Sequence, residues 1–252
     1  MITQADLKRY RALQQKKARG EHRRFLVQGR KVVVELLASR LQTEVLLASE
    51  EAAAFVRPHA GKVPVQILAG HELDKIGTFE KGNELIAIVA EPEPIGYRAP
   101  RQDEVMLALD GVRDPRNLGS LLRIADWFGH TRVLLSHECM ELYNPKVVQS
   151  TMGSLFRVEA RRCNLAEELA RATRDGASVY CADMGGAPIF EAQLQRPAIV
   201  VLGSESHGLS SSFGGRAVLS IPRLGGAESL NVAMAATAFC TEFARRAWNV
   251  SA

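Results

Sequence analysis

The stretch VMLALDGVRDPRNLGSLLRIADWFGHTRVLLS, residues 105–136, decides the fold. It opens on an apolar run (105–110) and closes on a second (132–136). Between them lie a loop and an amphipathic segment. On a helical projection Leu118, Leu121, Leu122, Ala125 and Phe128 form one stripe, which predicts a helix lying on a sheet. Three further runs of strand length follow: SVYCAD (178–183), AIVVLG (198–203) and AVLSIP (217–222). Near-continuous apolar strands alternating with helices are those of a parallel sheet covered on both faces.

Upstream, EPEPIGYRAP (91–100) holds three prolines and a glycine and reads as an extended linker. It separates a first domain, 1–95, from a second, 101–252. The first domain shows a helix at about 4–18 and another over 30–39. Strands are expected at FLVQG (25–29), EVLLA (44–48), VQIL (65–68) and LIAIVA (85–90). This is a small α/β domain with no internal repeat.

The bulk numbers exclude several classes. A chain of 252 residues, 46% hydrophobic and 24% charged, has the composition of a soluble globular protein. No stretch approaches the roughly 20 apolar residues of a membrane span. The polar, basic start MITQADLKRYRALQQKK lacks the apolar centre of a signal peptide, so the cytoplasm is the expected compartment. Cys139, Cys163, Cys181 and Cys240 form no CxxC pair, and no HxxxH or HExxH occurs. Buried thiols are expected, with no metal site. Residues 1–31 carry ten basic and two acidic side chains, a charge of +8, against −4 for the remaining 221 residues. A cationic arm on a mildly acidic body suits a polyanion, nucleic acid first, although a solvated basic helix would look the same.

Three unusual loops each follow a strand: GVRDPRNLGS (111–120), SESHG (204–208) and RLGGAESLN (223–231). A parallel sheet places them along the edge where such sheets bind ligands, which implies one composite site. Asn117 suits a helix N-cap. Arg123 points away from the apolar stripe, free to reach a ligand or to sit in water. Gly203 and Gly208 permit close backbone approach. Ser206 sits in an incomplete G-x-S-x-G, since Ser204 replaces the first glycine, so a hydrolase elbow is not supported. Glu205 is either solvated or an anchor for an arginine. Ser229 and Asn231 suit caps or chemistry equally. They precede a helical stripe of Val232, Ala235, Ala236, Phe239, Phe243 and Ala247. No GxGxxG or GxxxxGK[ST] is present.

Together the loops resemble the three motifs of the SpoU (TrmH-like) methyltransferases of the SPOUT superfamily. The N-x-G-x-x-x-R motif is matched by Asn117 to Arg123, and the G-S-E-x-x-G-L motif by Gly203 to Leu209. The third is matched by IPRLGGAESLNVA, 221–233. QSTMGSLFRV (149–158) resembles the segment between the first two motifs. KKARGEHRRFLVQGRKVVVELL (16–37) resembles the L30e-like substrate-binding extension of many members. Gln28 stands where glutamate is common and Ala227 where valine is frequent.

The resemblance implies a deep trefoil knot in the parallel-sheet domain. It implies S-adenosylmethionine held by Ala182, Gly203, Ser204, Gly208, Ile221, Ser229 and Leu230. It also implies a homodimer, and methyl transfer to a ribose 2′-hydroxyl, in ribosomal RNA ahead of transfer RNA. Arg123 would be the central catalytic residue, with Asn117, Glu205, Ser229 and Asn231 around it. RNA phosphates would meet Lys16, Lys17, Arg19, Arg23, Arg24 and Arg30 on the arm, and Arg113 and Arg116 in the first loop. Two alternatives stay open: a non-catalytic RNA-binding assembly factor of the same fold, and a base-N-methylating enzyme.

Overall fold

Apolar alternation in the first ninety residues produces a four-stranded sheet. A computed structural model describes residues 3–80, 82–204, 208, 209, 213 and 216–250, with nothing stated for the side chains of 249 and 250. In chain order come α1 (Gln4–Ala12), α2 (Lys16–His22), β1 (Arg24–Gln28), α3 (Arg30–Leu37), β2 (Thr43–Ala48), α4 (Glu50–Ala60), β3 (Val65–Ile67), α5 (Gly70–Ile76) and β4 (Leu85–Ala90). The sheet order is β1-β4-β2-β3, with β4 antiparallel to both neighbours and β3 parallel to β2. Leu26, Leu47, Ile86 and Ile88 bury their side chains with Tyr10, Leu13, Leu73 and Ile76. The helix expected over 4–18 is two helices, broken where the Arg19 guanidinium takes the carbonyls of Leu13 (2.7 Å) and Gln14 (2.9 Å).

The remaining elements are β5 (Val105–Asp110), α6 (Pro115–Trp127), β6 (Arg132–Leu135), α7 (Pro145–Thr151), a 3₁₀ turn (Ser154–Phe156), β7 (Glu159–Arg162), α8 (Leu165–Arg174), β8 (Ser178–Pro188), β9 (Ala198–Gly203), β10 (Ala217–Ser220) and α9 (Val232–Val250). Six strands form one parallel sheet, order β10-β8-β9-β5-β6-β7. The chain divides into two compact units, Met1–Glu93 with Glu141–Arg157, and Pro94–Met140 with Val158–Ala252. The excursion 141–157 is held in the first unit by real contacts. Tyr143 stacks on Phe25 at 4.5 Å, and Arg157 pairs with Glu35 at 2.9 Å.

In the second unit the sheet is buried on both sides. Met106, Ala108, Ile199 and Val201 pack with Leu165, Leu169 and Ala172 of α8. Their neighbours along the strands, Leu107, Leu109, Val200 and Leu202, point to the opposite face. There α6 and α9 pack against each other and the sheet, burying Leu118, Leu121, Leu122, Ala236, Phe239 and Phe243. All four cysteines are buried and free. Among the described residues no helix is long and apolar enough to cross a membrane.

His130, in the turn between α6 and β6, is buried, and among the described residues its Nε2 has no hydrogen-bond partner. Burial, reinforced by Arg196 and opposed by Glu104, lowers its pKa to about 4. An unfolded imidazole titrates near 6.5. Between these values the unfolded chain binds the extra proton, so acidification favours unfolding. Stability is expected to drop by about 2–3 kcal/mol from pH 7 to pH 4.5 on this account. Urea titrations at both pH values check it, and His130→Phe should flatten the slope. An unchanged slope in the variant would assign the acid sensitivity to other groups.

Candidate functional site

The first and third loops, with Ser204 and Gly208 of the second, lie beyond the carboxyl ends of β5, β9 and β10, on one edge of the sheet. Asp110 at the end of β5 is in register with Gly203 at the end of β9. After β9 the backbone turns back on itself: Gly208 donates to the Ser204 carbonyl at 2.9 Å, and the two residues form an isolated bridge. A Cβ at Gly203 would stand 2.3 Å from the Gly208 oxygen, so only glycine fits there. Gly208 itself has a φ of +63°, which glycine adopts without strain.

This folding-back shapes a cleft of about 640 Å³ beyond β8, β9 and β10. All seven residues expected at a cofactor, Ala182, Gly203, Ser204, Gly208, Ile221, Ser229 and Leu230, line it. Leu202, Leu219 and Phe239 contribute apolar wall, and Asp183 a carboxylate at the rim. That carboxylate accepts the Gly185 N–H at 2.9 Å.

Asn117 is not the N-cap of α6. The cap is Asp114, whose Oδ1 accepts from Arg116 N (2.9 Å) and Asn117 N (2.8 Å), with Pro115 opening the helix. A helix starting that early puts Asn117 in the first turn. There its Oδ1 accepts from Asn231 Nδ2 at 3.0 Å. Asn231 does cap α9, since its own Oδ1 accepts from Ala233 N at 2.9 Å. One amide pair thus ties the first loop to the third. Ser229 is exposed at the cleft. Glu205 lies outside the described residues.

Arg123 is exposed and, among the described residues, makes no hydrogen bond or ion pair; it borders neither this cleft nor its neighbour. Trp127 stands one helical turn further along the same face, 85% exposed.

The expected phosphate contacts separate into three groups. Lys16, Lys17, Arg113 and Arg116 are exposed, Lys17 with only a loose 3.8 Å pairing to Glu21. Arg23, Arg24 and Arg30 are tethered to Glu93, Glu44 and Glu84. Arg19 does not fit the expectation. Its side chain is 3% exposed and paired with Glu141, Nε to Oε1 at 2.7 Å, with a second bond from Nη2. Its charge is consumed inside the first unit.

A second cleft, of about 680 Å³, adjoins the first and shares Ser204, Gly208 and Val232 with it. Its floor is formed beyond β5, β6 and β7, including Ser136, His137 and Glu138. The sequence reading did not single out this segment. Three polar residues directly after the apolar run RVLL were the available signal.

A parallel α/β sheet with a ligand-sized cleft built from strand-end loops defines an enzyme that binds a small organic cofactor at the carboxyl edge. The chain belongs to the SpoU rRNA Methylase family, which it matches over residues 104–241. Residues 4–87 match the MRM3-like substrate binding domain. The 23S rRNA (guanosine(2553)-2′-O)-methyltransferase RlmP of Bacillus subtilis is 29% identical over 91% of this chain and 92% of its own length. The SpoU methyltransferase AviRb of Streptomyces viridochromogenes, solved with AdoMet, superposes with a TM-score of 0.88 at 27% identity. That match covers 98% of this chain and 99% of AviRb. An AdoMet-bound rRNA methyltransferase from Sinorhizobium meliloti gives 0.85 at 29% identity, over 98% and 96%.

Proposed function

We propose that this chain transfers a methyl group from S-adenosylmethionine to a ribose 2′-hydroxyl of ribosomal RNA. The observation that carries the reading is the cleft in which Ala182, Gly203, Ser204, Gly208, Ile221, Ser229 and Leu230 converge. Its chemistry fits the cofactor. Leu202, Ile221 and Phe239 suit a purine, the loop backbones offer hydrogen bonds, and no bulky side chain replaces Gly203 or Gly225. Its volume is that of an ordinary small-molecule site. The names of the relatives favour ribosomal over transfer RNA.

When bound, S-adenosylmethionine supplies a methyl group already activated on a sulfonium. The protein must then align the ribose oxygen and let its proton leave. In this reading Asn117 and Asn231 orient the substrate, a role supported by the bond that ties the two amides together. Arg123 is a poor base, because a guanidinium carries hydrogen-bond donors only and no lone pair to accept a proton. Its role in this reading is to grip the phosphate next to the reacting ribose, so that the proton passes to that phosphate or to water. Glu205 and Ser229 complete the set by motif position.

The deep trefoil knot, the cytoplasmic location and the homodimer belong to the same reading. The dimer is supported by apolar surface on the packed pair α6 and α9: Trp127, Met234 and Trp248 are all exposed. A dimer built there would also bring Arg123, which has no partner among the described residues, to a cleft that it does not border within its own chain. Sedimentation equilibrium should report a dimer, with Trp248→Glu shifting it toward monomer. A monomeric wild type would remove this support.

The basic arm would supply affinity through phosphate contacts. Because Arg19 is internal, the exposed pair Lys16 and Lys17 should carry the salt dependence. Lys16→Glu with Lys17→Glu is expected to reduce the slope of log K against log salt by about one to two. Filter binding to ribosomal RNA across a salt series measures it. An unchanged slope would place the RNA elsewhere.

The decisive assay is transfer of labelled methyl from S-adenosylmethionine to ribosomal RNA lacking 2′-O-methyl marks, followed by nuclease digestion. Label on one ribose supports the proposal. Label on a base would favour base methylation, and RNA binding without cofactor binding would favour the assembly factor.

A further inference from the structure

The carboxyl edge of the sheet is divided between two adjoining clefts, and only one of them is accounted for by a cofactor. The second lies beyond β5, β6 and β7, holds about 680 Å³, and touches the first through Ser204, Gly208 and Val232. A methyl acceptor must be bound directly beside the methyl donor. This neighbouring cleft meets that requirement, and its volume accommodates a nucleotide.

Its polar wall is largely committed. Asp114 caps α6, Asn164 caps α8 by accepting from Glu167 N, and the Ser136 Oγ accepts the Gly111 N–H at 3.0 Å. Glu138 is different. It is exposed on the cleft wall and forms no ion pair among the described residues, although Arg113 and His137 are near enough to favour its anion. Its own backbone and the Ser136 side chain hold its carboxyl below the usual carboxylate range, and the anion on the cleft wall offers lone pairs to a ligand.

The loop that carries Glu138 is braced from beneath. Arg162, at the end of β7, donates to four backbone carbonyls of residues 136–140. Nη1 bonds Ser136 (3.2 Å) and His137 (2.5 Å); Nη2 bonds Cys139 and Met140 (3.0 Å each). Cys139 Sγ reaches the Leu109 carbonyl at 3.1 Å, and Met140 N the Val112 carbonyl at 2.8 Å. A guanidinium spanning four carbonyls fixes a loop in the way a recognition element requires.

We propose that this second cleft receives the base of the target nucleotide and that Glu138, positioned by Arg162, selects guanine. The inference rests on the methyltransferase reading above. RNA bases outside a helix are read on their Watson–Crick edges. An anionic carboxylate offers two acceptors and no donor. Guanine presents two adjacent donors, N1–H and the 2-amino group. Adenine and cytosine place a ring-nitrogen acceptor beside their single amino group, and uracil flanks its N3–H with two carbonyls. Each of those sets a lone pair against the carboxylate.

The test uses the full-length protein, S-adenosylmethionine, and large ribosomal subunits and their extracted RNA, both lacking 2′-O-methyl marks. Digestion should return 2′-O-methylguanosine. On a short RNA spanning the mapped site, inosine in place of the target guanosine removes the 2-amino donor. It should lower kcat/KM about tenfold or more. Glu138→Gln should cost the wild-type RNA a similar factor, leave the cofactor Kd unchanged, and abolish the inosine penalty. Arg162→Lys should weaken the discrimination while the cofactor still binds. Methylation of any other nucleoside, or a Glu138→Gln variant with undiminished kcat/KM, overturns the inference and leaves the methyltransferase reading standing. No methyl transfer by the wild type to any of these RNAs overturns both.

Discussion

Arg123→Ala is expected to lower methyl transfer about a thousandfold while S-adenosylmethionine binds as before. The apolar stripe of α6 fixes which way this residue faces. With Leu118, Leu121, Leu122 and Ala125 buried, position 123 must project outward, and it does. An exposed arginine normally contributes little to folding, so its removal should leave the thermal transition within a degree or two. The loss should therefore fall on kcat, with the cofactor Kd as the control. Arg123→Lys keeps the charge but loses the planar two-pronged donor set, and should restore little. Near-normal activity in the lysine variant would mean that a point charge is enough.

The same residue separates a site completed within one chain from a site shared between two. Arg123 borders neither cleft of its own chain. Mixing Arg123→Ala subunits with Gly203→Val subunits, whose cofactor cleft should be closed by the clash with Gly208, tests this directly. Recovery of activity in the mixture requires an arginine from one subunit to serve a cofactor on the other. No recovery would keep Arg123 with its own chain.

What could be read from the sequence follows from how locally each feature is encoded. Strands buried on both faces, such as β5 and β9, must be apolar at nearly every position, so they are visible as runs. The loops after them are visible through glycines that only glycine can satisfy, Gly203 above all. β7 was missed because an edge strand has one side to solvent and this one reads EARR. The break between α1 and α2 has no proline or glycine to announce it. It is set by Gln14, whose amide donates to the carbonyls of Ile76 and Gly77, and by Arg19 from the next helix. The second cleft left only the polar residues after RVLL as a signal, since the Arg162 that braces their loop comes from another strand. Charge counting failed most clearly at Arg19, where one of ten cations proved internal.

That failure yields the largest expected effect on stability. Glu141→Ala should destabilise the first unit by about 3–5 kcal/mol, because it leaves the Arg19 guanidinium buried without its counter-ion. For a unit of this size the transition should fall by roughly 10 °C or more. Arg19→Ala should cost a comparable amount, since it also orphans the carbonyls of Leu13 and Gln14 and the carboxylate of Glu141. Replacing both partners by apolar residues, Arg19→Met with Glu141→Leu, should recover part of the loss, the two carbonyls remaining unpaired. Differential scanning calorimetry follows the thermal transition, and filter binding to ribosomal RNA at a temperature below it reports on the arm. The structural assignment requires the stability to move and the RNA affinity of the still-folded variant to hold. If Arg19→Ala leaves the transition in place and weakens RNA binding with a shallower salt slope, Arg19 is a phosphate contact after all, and the ion pair with Glu141 contributes little to the fold.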